Sequence, residues 1–400
     1  MSVATIFKRL FYLFCFTISL NQYLNVRILV AVLVLSLFVK SPKRALSISS
    51  FWDSWLYLLV LLGGLLYSVD LVIGMKTIET SFSFIALPII FWRLKELEDF
   101  DVKKYFNLFC SGLLIACMTC LINAGINYGC NGDIQTFFFY NLTSPISLQP
   151  TYFAYYLSFG ICFLLYSLYA KEETIIRNVM LVGTLFLFLM LMLTASRTAY
   201  IGMLFVLSFF ILKYFFDETG KSNRGIAMFS AFLLVVMLLV NYFDLNGSLT
   251  AVAEGTDYWE RSTLWEAALR ANPNPLLGVG TGDYKTALNQ YYQSQGMELF
   301  ANESYNSHNQ FIQIYFSNGI LGLLALSILI CRPLYLSFKV QNPLGILIIF
   351  PFIIYGVTEV FLGRFQGIVF FVFCHQLVVA EYQMVKPKLT LYNKENAISI

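Results

Sequence analysis

The stretch LVGTLFLFLMLMLTASRTAYIGMLFVLSFFILKY, residues 181–214, is two apolar runs joined by a short polar turn. Its only charged residues are Arg197, in the turn, and Lys213, near the far end. A helix needs roughly 17–25 mostly apolar residues to cross a bilayer, and each run is of that order. The stretch therefore predicts a membrane-spanning helical hairpin. Its continuous apolarity excludes an outer-membrane barrel, whose strands alternate every second residue. Similar runs recur along the whole chain, which is 58% hydrophobic and 12% charged over 400 residues. Soluble domains carry about 25% charged residues, so a large soluble enzyme is excluded. The predicted fold class is all-α: a polytopic helical membrane protein of about twelve transmembrane helices, in one integral membrane domain over residues 1–400.

The expected spans are 10–25, 26–39, 54–70, 77–92, 105–126, 151–170, 177–195, 198–214, 225–243, 309–331, 343–361 and 366–382. Pro88 is expected to kink the fourth. Lys8 and Arg9 precede an apolar run with no small-residue cleavage site after it, so an uncleaved first span is expected. Lys and Arg favour cytoplasmic loops. With the N-terminus inside, most of the 26 basic residues fall on the cytoplasmic side. Arg27, Lys76, Arg197, Arg261, Arg270, Lys285 and Arg364 remain outside. The mostly polar stretch from Asp244 to His308 is then one large outer loop, and Asn127–Pro150 a smaller one.

Three residues on that outer side can carry chemistry. Arg197 lies in the tight turn of the hairpin, where a charge at the membrane face is costly unless it is paired or used; the alternative is an arginine snorkelling to lipid headgroups. Arg261 begins an amphipathic helix stopped by Asn272-Pro273-Asn274-Pro275. Leu264, Trp265, Ala268 and Leu269 are placed on one face, with Arg261 one turn before Trp265. A cation there points to the interior, and near a helix N-terminus it favours a bound anion such as diphosphate. The alternative is a salt bridge to Glu254, Asp257 or Glu260. Arg270 falls on the solvated face. His308 is one of two histidines and opens the next span. Histidine is the side chain best suited to accept a proton near neutral pH, although a histidine at a helix start can also be structural. His375, inside the last span, is read as structural.

Other signals are weaker. Gly278-Val279-Gly280-Thr281-Gly282 lacks the strand–helix setting of a dinucleotide fingerprint and reads as a turn. Of eight cysteines only Cys130 falls in a polar loop, so no disulfide framework is expected. Two histidines and no Cys/His cluster argue against a transition-metal site, and no cofactor is expected.

Three segments together resemble the O-antigen ligase family, which shares a core with O-antigen polymerases. They are Leu193–Gly202; Arg261–Trp265 leading into Asn274–Gly280; and Ser307–Phe311 followed by Ser317–Gly322. The resemblance implies a GT-C-like, metal-independent glycosyltransferase at the periplasmic face of the Gram-negative inner membrane. It implies transfer of a polysaccharide from an undecaprenyl-diphosphate-linked O-antigen donor to a lipid A–core acceptor. It implies His308 as the base, with Arg197 and Arg261 binding the diphosphate. The expected partners are donor, acceptor and bilayer, with no nucleic acid.

The chemistry of the residues agrees. A glycosyl diphosphate carries its own leaving group. It needs charge stabilisation at the departing phosphate, which arginine forks supply, and a base for the attacking hydroxyl. Single displacement inverts the anomeric centre. The alternatives are an O-antigen polymerase or protein-glycosylating ligase, and, in another class, a transporter or flippase of lipid-linked sugars. Transporters keep charges near the midplane, whereas these spans read as almost free of charge apart from Glu359.

Overall fold

The computed structural model describes residues 2–39, 48–94, 100–169, 174–215, 221–244 and 258–398. Among these residues the chain is helical and holds no strand. The helices are α1 (Val3–Thr17), α2 (Gln22–Phe38), α3 (Trp52–Leu65), α4 (Leu71–Thr80), α5 (Ser83–Leu94), α6 (Val102–Asn131), α7 (Phe139–Thr143), α8 (Pro150–Tyr169) and α9 (Thr174–Leu193). They continue as α10 (Arg197–Phe215), α11 (Lys221–Asp244), α12 (Tyr258–Arg270), α13 (Tyr284–Ser294), α14 (Glu298–Asn302), α15 (Gln310–Lys339), α16 (Pro343–Thr358) and α17 (Phe365–Ile398). Among the described residues seven helical segments are long and apolar enough to cross a membrane, and Gln22–Phe38, Ile226–Leu239 and Pro343–Thr358 are shorter apolar helices. The protein is an all-α, multi-pass membrane protein.

Several boundaries move from where hydropathy places them. The first break falls after Thr17, where Asn25 Nδ2 donates to the carbonyl of Phe14 at 3.0 Å and to Thr17 Oγ1 at 3.0 Å. Lys8 and Arg9 consequently lie inside α1. The expected fourth span is interrupted at Ser81–Phe82, between α4 and α5, while Pro88 sits within α5. Ser81 Oγ donates back to the Thr77 carbonyl at 2.8 Å, a local bond that competes with the helical ladder. Helix α6 runs on to Asn131, so Cys130 lies in its last turn instead of a polar loop. The basic loop at 40–47 lies outside the described residues.

The chain forms two compact units: Met1–Leu10 with Leu29–Val102 and Thr256–Ile400, and Phe11–Ile28 with Lys103–Gly255. In the second unit α6 packs on α8 through Phe106 and Phe163, whose ring centroids are 5.2 Å apart, and through Phe109 and Tyr156 at 5.9 Å. The hairpin of α9 and α10 belongs to this unit. Its turn is Thr194-Ala195-Ser196, with Ala195 at φ 51°, closed by the Tyr200 hydroxyl donating to the Met192 carbonyl at 2.8 Å.

In the first unit the polar stretch is largely helical. Leu264, Ala267 and Ala268 of α12, Leu288 and Tyr292 of α13, and Ala301 of α14 form a small core that closes on Phe316 of α15. The buried face of α12 is thus Leu264, Ala267 and Ala268; Leu269, expected there, is 49% exposed. One helical step of 100° separates the two positions, and the docking of α13 and α14 decides which is covered.

Helix α15 is not the continuous span that hydropathy suggests. Asn318 and Gly319 depart from helical angles, Gly319 at φ 61° and ψ −158°. The backbone accounting explains the kink. Ile320 N–H donates to the Pro275 carbonyl at 2.9 Å and so leaves the Phe316 carbonyl free. Val279 N–H takes that carbonyl at 3.0 Å, and Gly280 N–H takes the one from Ser317 at 2.8 Å. The glycine-rich turn is therefore a wedge that restores the hydrogen bonds the kink removes, and an unpaired peptide group in a membrane costs several kcal/mol. On its other side the Thr281 hydroxyl donates to the Leu61 carbonyl of α3 at 2.7 Å. Asn318 Nδ2 reaches Thr281 Oγ1 at 2.9 Å and the Val60 carbonyl at 3.3 Å. Asp283 accepts from Val69 and Asp70 N–H at 2.8 and 2.7 Å.

A Cβ on Gly319 would collide with the Leu276 carbonyl, and its backbone region is one that essentially only glycine adopts. Gly319→Ala is expected to lower stability by about 3 kcal/mol, read as an earlier thermal unfolding of detergent-solubilised protein. An unchanged unfolding temperature would show that the wedge can yield.

Candidate functional site

His308 is held by a dense local network. Its N–H donates to Asn306 Oδ1 at 2.8 Å, and its φ of 43° places it in the left-handed region, where histidine and asparagine are enriched among non-glycine residues. The neighbouring Ser307 Oγ donates to Gln313 Oε1 at 3.1 Å or the Asn309 carbonyl at 2.9 Å. Asn309 caps α15 by accepting from Phe311 and Ile312 N–H at 2.9 and 3.0 Å. Asn306, Ser307 and Asn309 together fix where the imidazole starts. Such strain is kept where the surroundings over-determine it, often at functional sites.

The imidazole meets one carboxylate. His308 Nδ1 lies 3.5 Å from Glu359 Oε2, with the two side chains 22% and 13% exposed. The contact is long, and Nδ1 does not meet the geometry of a hydrogen bond. Glu359 follows the end of α16, in the strap Glu359–Arg364 that leads into α17. The strap is anchored by Leu362 N–H donating to Gln310 Oε1 at 2.7 Å. Phe361 packs between Phe352 and Phe371, at 5.4 and 5.5 Å. Burial pushes the Glu359 carboxyl up. The His308 contact, the Val360 N–H and the charge of Arg261 together outweigh burial and hold it below the ordinary glutamate value.

The charge of Arg261 thus reaches Glu359. Arg261 is half-buried in the first turn of α12, one turn before Leu264 and Trp265. Trp265 directs its indole Nε1 into the interior with no partner among the described residues. Of the carboxylates weighed for Arg261 from the sequence, Glu254, Asp257 and the side chain of Glu260 lie outside the described residues. Arg270 pairs with Glu266 on an exposed face, a pairing that contributes little. Arg197 belongs to the other compact unit. It is exposed at the first position of α10, between buried Ser196 and Thr198.

In the sequence Glu359 is only a stray charge in an apolar run. Its position on the same predicted side as His308 was the available signal. A second correction concerns the spans themselves. Asp53, Arg332 and His375 lie within α3, α15 and α17 and are paired: Asp53 Oδ1 to Arg332 Nη1 at 2.8 Å, and Asp53 Oδ2 to His375 Nε2 at 2.8 Å. Hydropathy alone placed Asp53 and Arg332 just outside their spans, because it cannot register that each charge is neutralised by the other.

His308 and Glu359 are thus in contact in a multi-pass helical protein, and the charge of Arg261 acts on that carboxylate. Residues 182–327 match the family described as O-antigen ligase. The matched segment contains Arg197, Arg261 and His308 and ends before Glu359. A stretch of 143 residues is also 24% identical to a Haemophilus influenzae protein described only as uncharacterized. It covers 33% of this chain and 35% of that relative's length.

Proposed function

We propose that this protein transfers a glycan from a polyprenyl diphosphate donor to a sugar hydroxyl, with His308 as general base and with Arg261 binding the donor diphosphate. The observation that carries this reading is the His308–Glu359 contact beside Arg261, in a chain whose matched segment is that of a glycan-transferring family. In the neutral imidazole a proton on Nδ1 faces the Glu359 carboxylate and leaves Nε2 to accept. Among the described residues Nε2 has no protein partner. As the acceptor oxygen attacks the anomeric carbon, its proton passes to Nε2. The glycosidic C–O bond to phosphate breaks, and the electron pair leaves with the diphosphate, whose growing charge Arg261 stabilises. One displacement inverts the anomeric centre. The donor in this reading is undecaprenyl-diphosphate-linked O-antigen, the acceptor is lipid A–core, and the site faces the periplasm from the inner membrane.

Deletion of the gene tests the acceptor. Accumulated lipid-linked polymer with bare core supports a ligase; core carrying a single repeat indicates a polymerase instead. Glu359→Gln is expected to lower turnover about 10–100-fold, the range for groups that orient a reactive imidazole. Wild-type turnover in that variant would remove Glu359 from the mechanism. The ionised Glu359 also contributes stability. Its carboxyl lies below the ordinary value, so the contribution is fully present above that value and is lost as pH falls through the lower folded one. Glu359→Gln is therefore expected to flatten the acid side of the stability profile.

A further inference from the structure

The Asp53–Arg332–His375 cluster lies in the membrane-spanning part of the first unit, away from the site. Asp53 and His375 are fully buried. Arg332 Nη2 also donates to the Ser50 carbonyl at 2.7 Å, and its guanidinium lies 5.4 Å from the centre of the Trp52 ring. Next to His375, Gln376 Nε2 donates to Ser54 Oγ at 2.9 Å. Two consecutive residues of α17 are thus tied to two consecutive residues at the start of α3. Buried ion pairs are weak contributors to stability, since well-packed apolar residues often do as well; their best-attested use is to fix register.

The three helices tied here are those that build the site. Helix α15 begins two residues after His308, α17 begins directly after the Glu359–Arg364 strap, and α3 grips the wedge and the α15 kink through Leu61 and Val60. Helices α3 and α15 are pinned to each other at two levels, by Asn318 Nδ2 on the Val60 carbonyl and by Asp53 with Arg332. Polar ties to this frame include Leu362 on Gln310 at the site end of helix α17, and His375 with Gln376 on α3 about 15 Å further along it. Further along the helix Glu381 accepts from Asn342 Nδ2 at 2.6 Å, and aromatic contacts such as Phe371 on Phe352 add apolar packing. Apolar packing discriminates poorly between registers one turn, about 5.4 Å, apart, whereas a directional ion pair does.

We propose that the Asp53–Arg332–His375 triad is a register lock. It sets how far α17 stands along α3 and α15, and through the strap it fixes the His308–Glu359 separation. These are positioning residues, and the inference rests on the function proposed above.

The test uses the full chain in lipid nanodiscs, with lipid-linked polysaccharide extracted from a deletion strain as donor and core-only lipopolysaccharide as acceptor. His375→Ala is expected to lower turnover about tenfold with the donor KM unchanged, the size typical of groups that orient a reactive imidazole. His375→Gln, whose amide N–H can stand where Nε2 stands, is expected to recover turnover to within about threefold of wild type. A purely structural role would reduce the yield of folded protein without this split or this rescue. Where His375→Ala does not insert, Asp53→Asn carries the test, because it keeps the shape and removes the charge opposite Arg332. The same loss of turnover at unchanged KM supports the lock. Wild-type turnover in the inserted variants overturns it, as does a Gln variant no better than Ala. The two readings fail separately: undiminished transfer by His308→Ala sinks the site assignment, while normal turnover in the triad variants, with His308→Ala inactive, sinks the lock alone.

Discussion

His308→Ala is expected to reduce glycan transfer by about 10²–10⁴-fold, the contribution of a positioned general base, with the protein still inserted in the membrane. In barrier terms this is about 3–5 kcal/mol. The alanine variant mixes two effects, because position 308 has φ 43°, a conformation that alanine adopts at a cost. His308→Asn separates them. Asparagine tolerates the left-handed region and has no basic nitrogen, so it is expected to fold like the parent and to be as inactive as alanine. The measurement is single-turnover transfer from lipid-linked donor, with membrane insertion checked on the same preparations. Turnover by His308→Asn near the parent's would mean that the residue serves the loop and not the reaction.

Arg261→Ala is expected to lower turnover about 10²–10³-fold, the loss seen when one preorganised donor to a developing oxyanion is removed. Lysine should restore only part of it, because an ammonium offers a point charge where a guanidinium offers a planar fork. A second consequence follows from Glu359. The charge of Arg261 is among the influences that hold this carboxyl below its ordinary value. Without it the carboxyl protonates at higher pH, so the acid limb of the activity profile should move upward. Truncation of an arginine that merely faced headgroups would leave that limb in place. An unshifted limb with full turnover would return Arg261 to a packing role.

The site was partly legible before any fold was known. Arg261 and His308 stand out because each is a polar exception at a place where local rules can be read, a helix start in one case and a span boundary in the other. Glu359 carries the same kind of signal more faintly. Its meaning depends on a contact with His308 that no periodicity records. The same holds for Asp53 with His375, which are far apart in the chain and 2.8 Å apart in space. Helices α13 and α14 were missed because each buries only one or two residues, Leu288 and Tyr292 on the first and Ala301 on the second, too few to make a convincing amphipathic stripe.

Hydropathy by itself determined that this is an all-helical membrane protein, because lipid demands that each crossing segment satisfy its own backbone, and long apolar runs do so as helices. It also marked Asp244–His308 as the stretch that differs, and the residue types there as suited to a diphosphate and a proton. Only the tertiary structure decided that α15 breaks at Asn318–Gly319, since that break exists because Pro275, Val279 and Gly280 of another segment supply the hydrogen bonds it gives up. Only the tertiary structure brought Glu359 to His308 and paired the charges inside the spans. These arrangements are hydrogen bonds and ion pairs between residues distant in sequence, and their energies depend on position in space, which the order of residues encodes only through the fold.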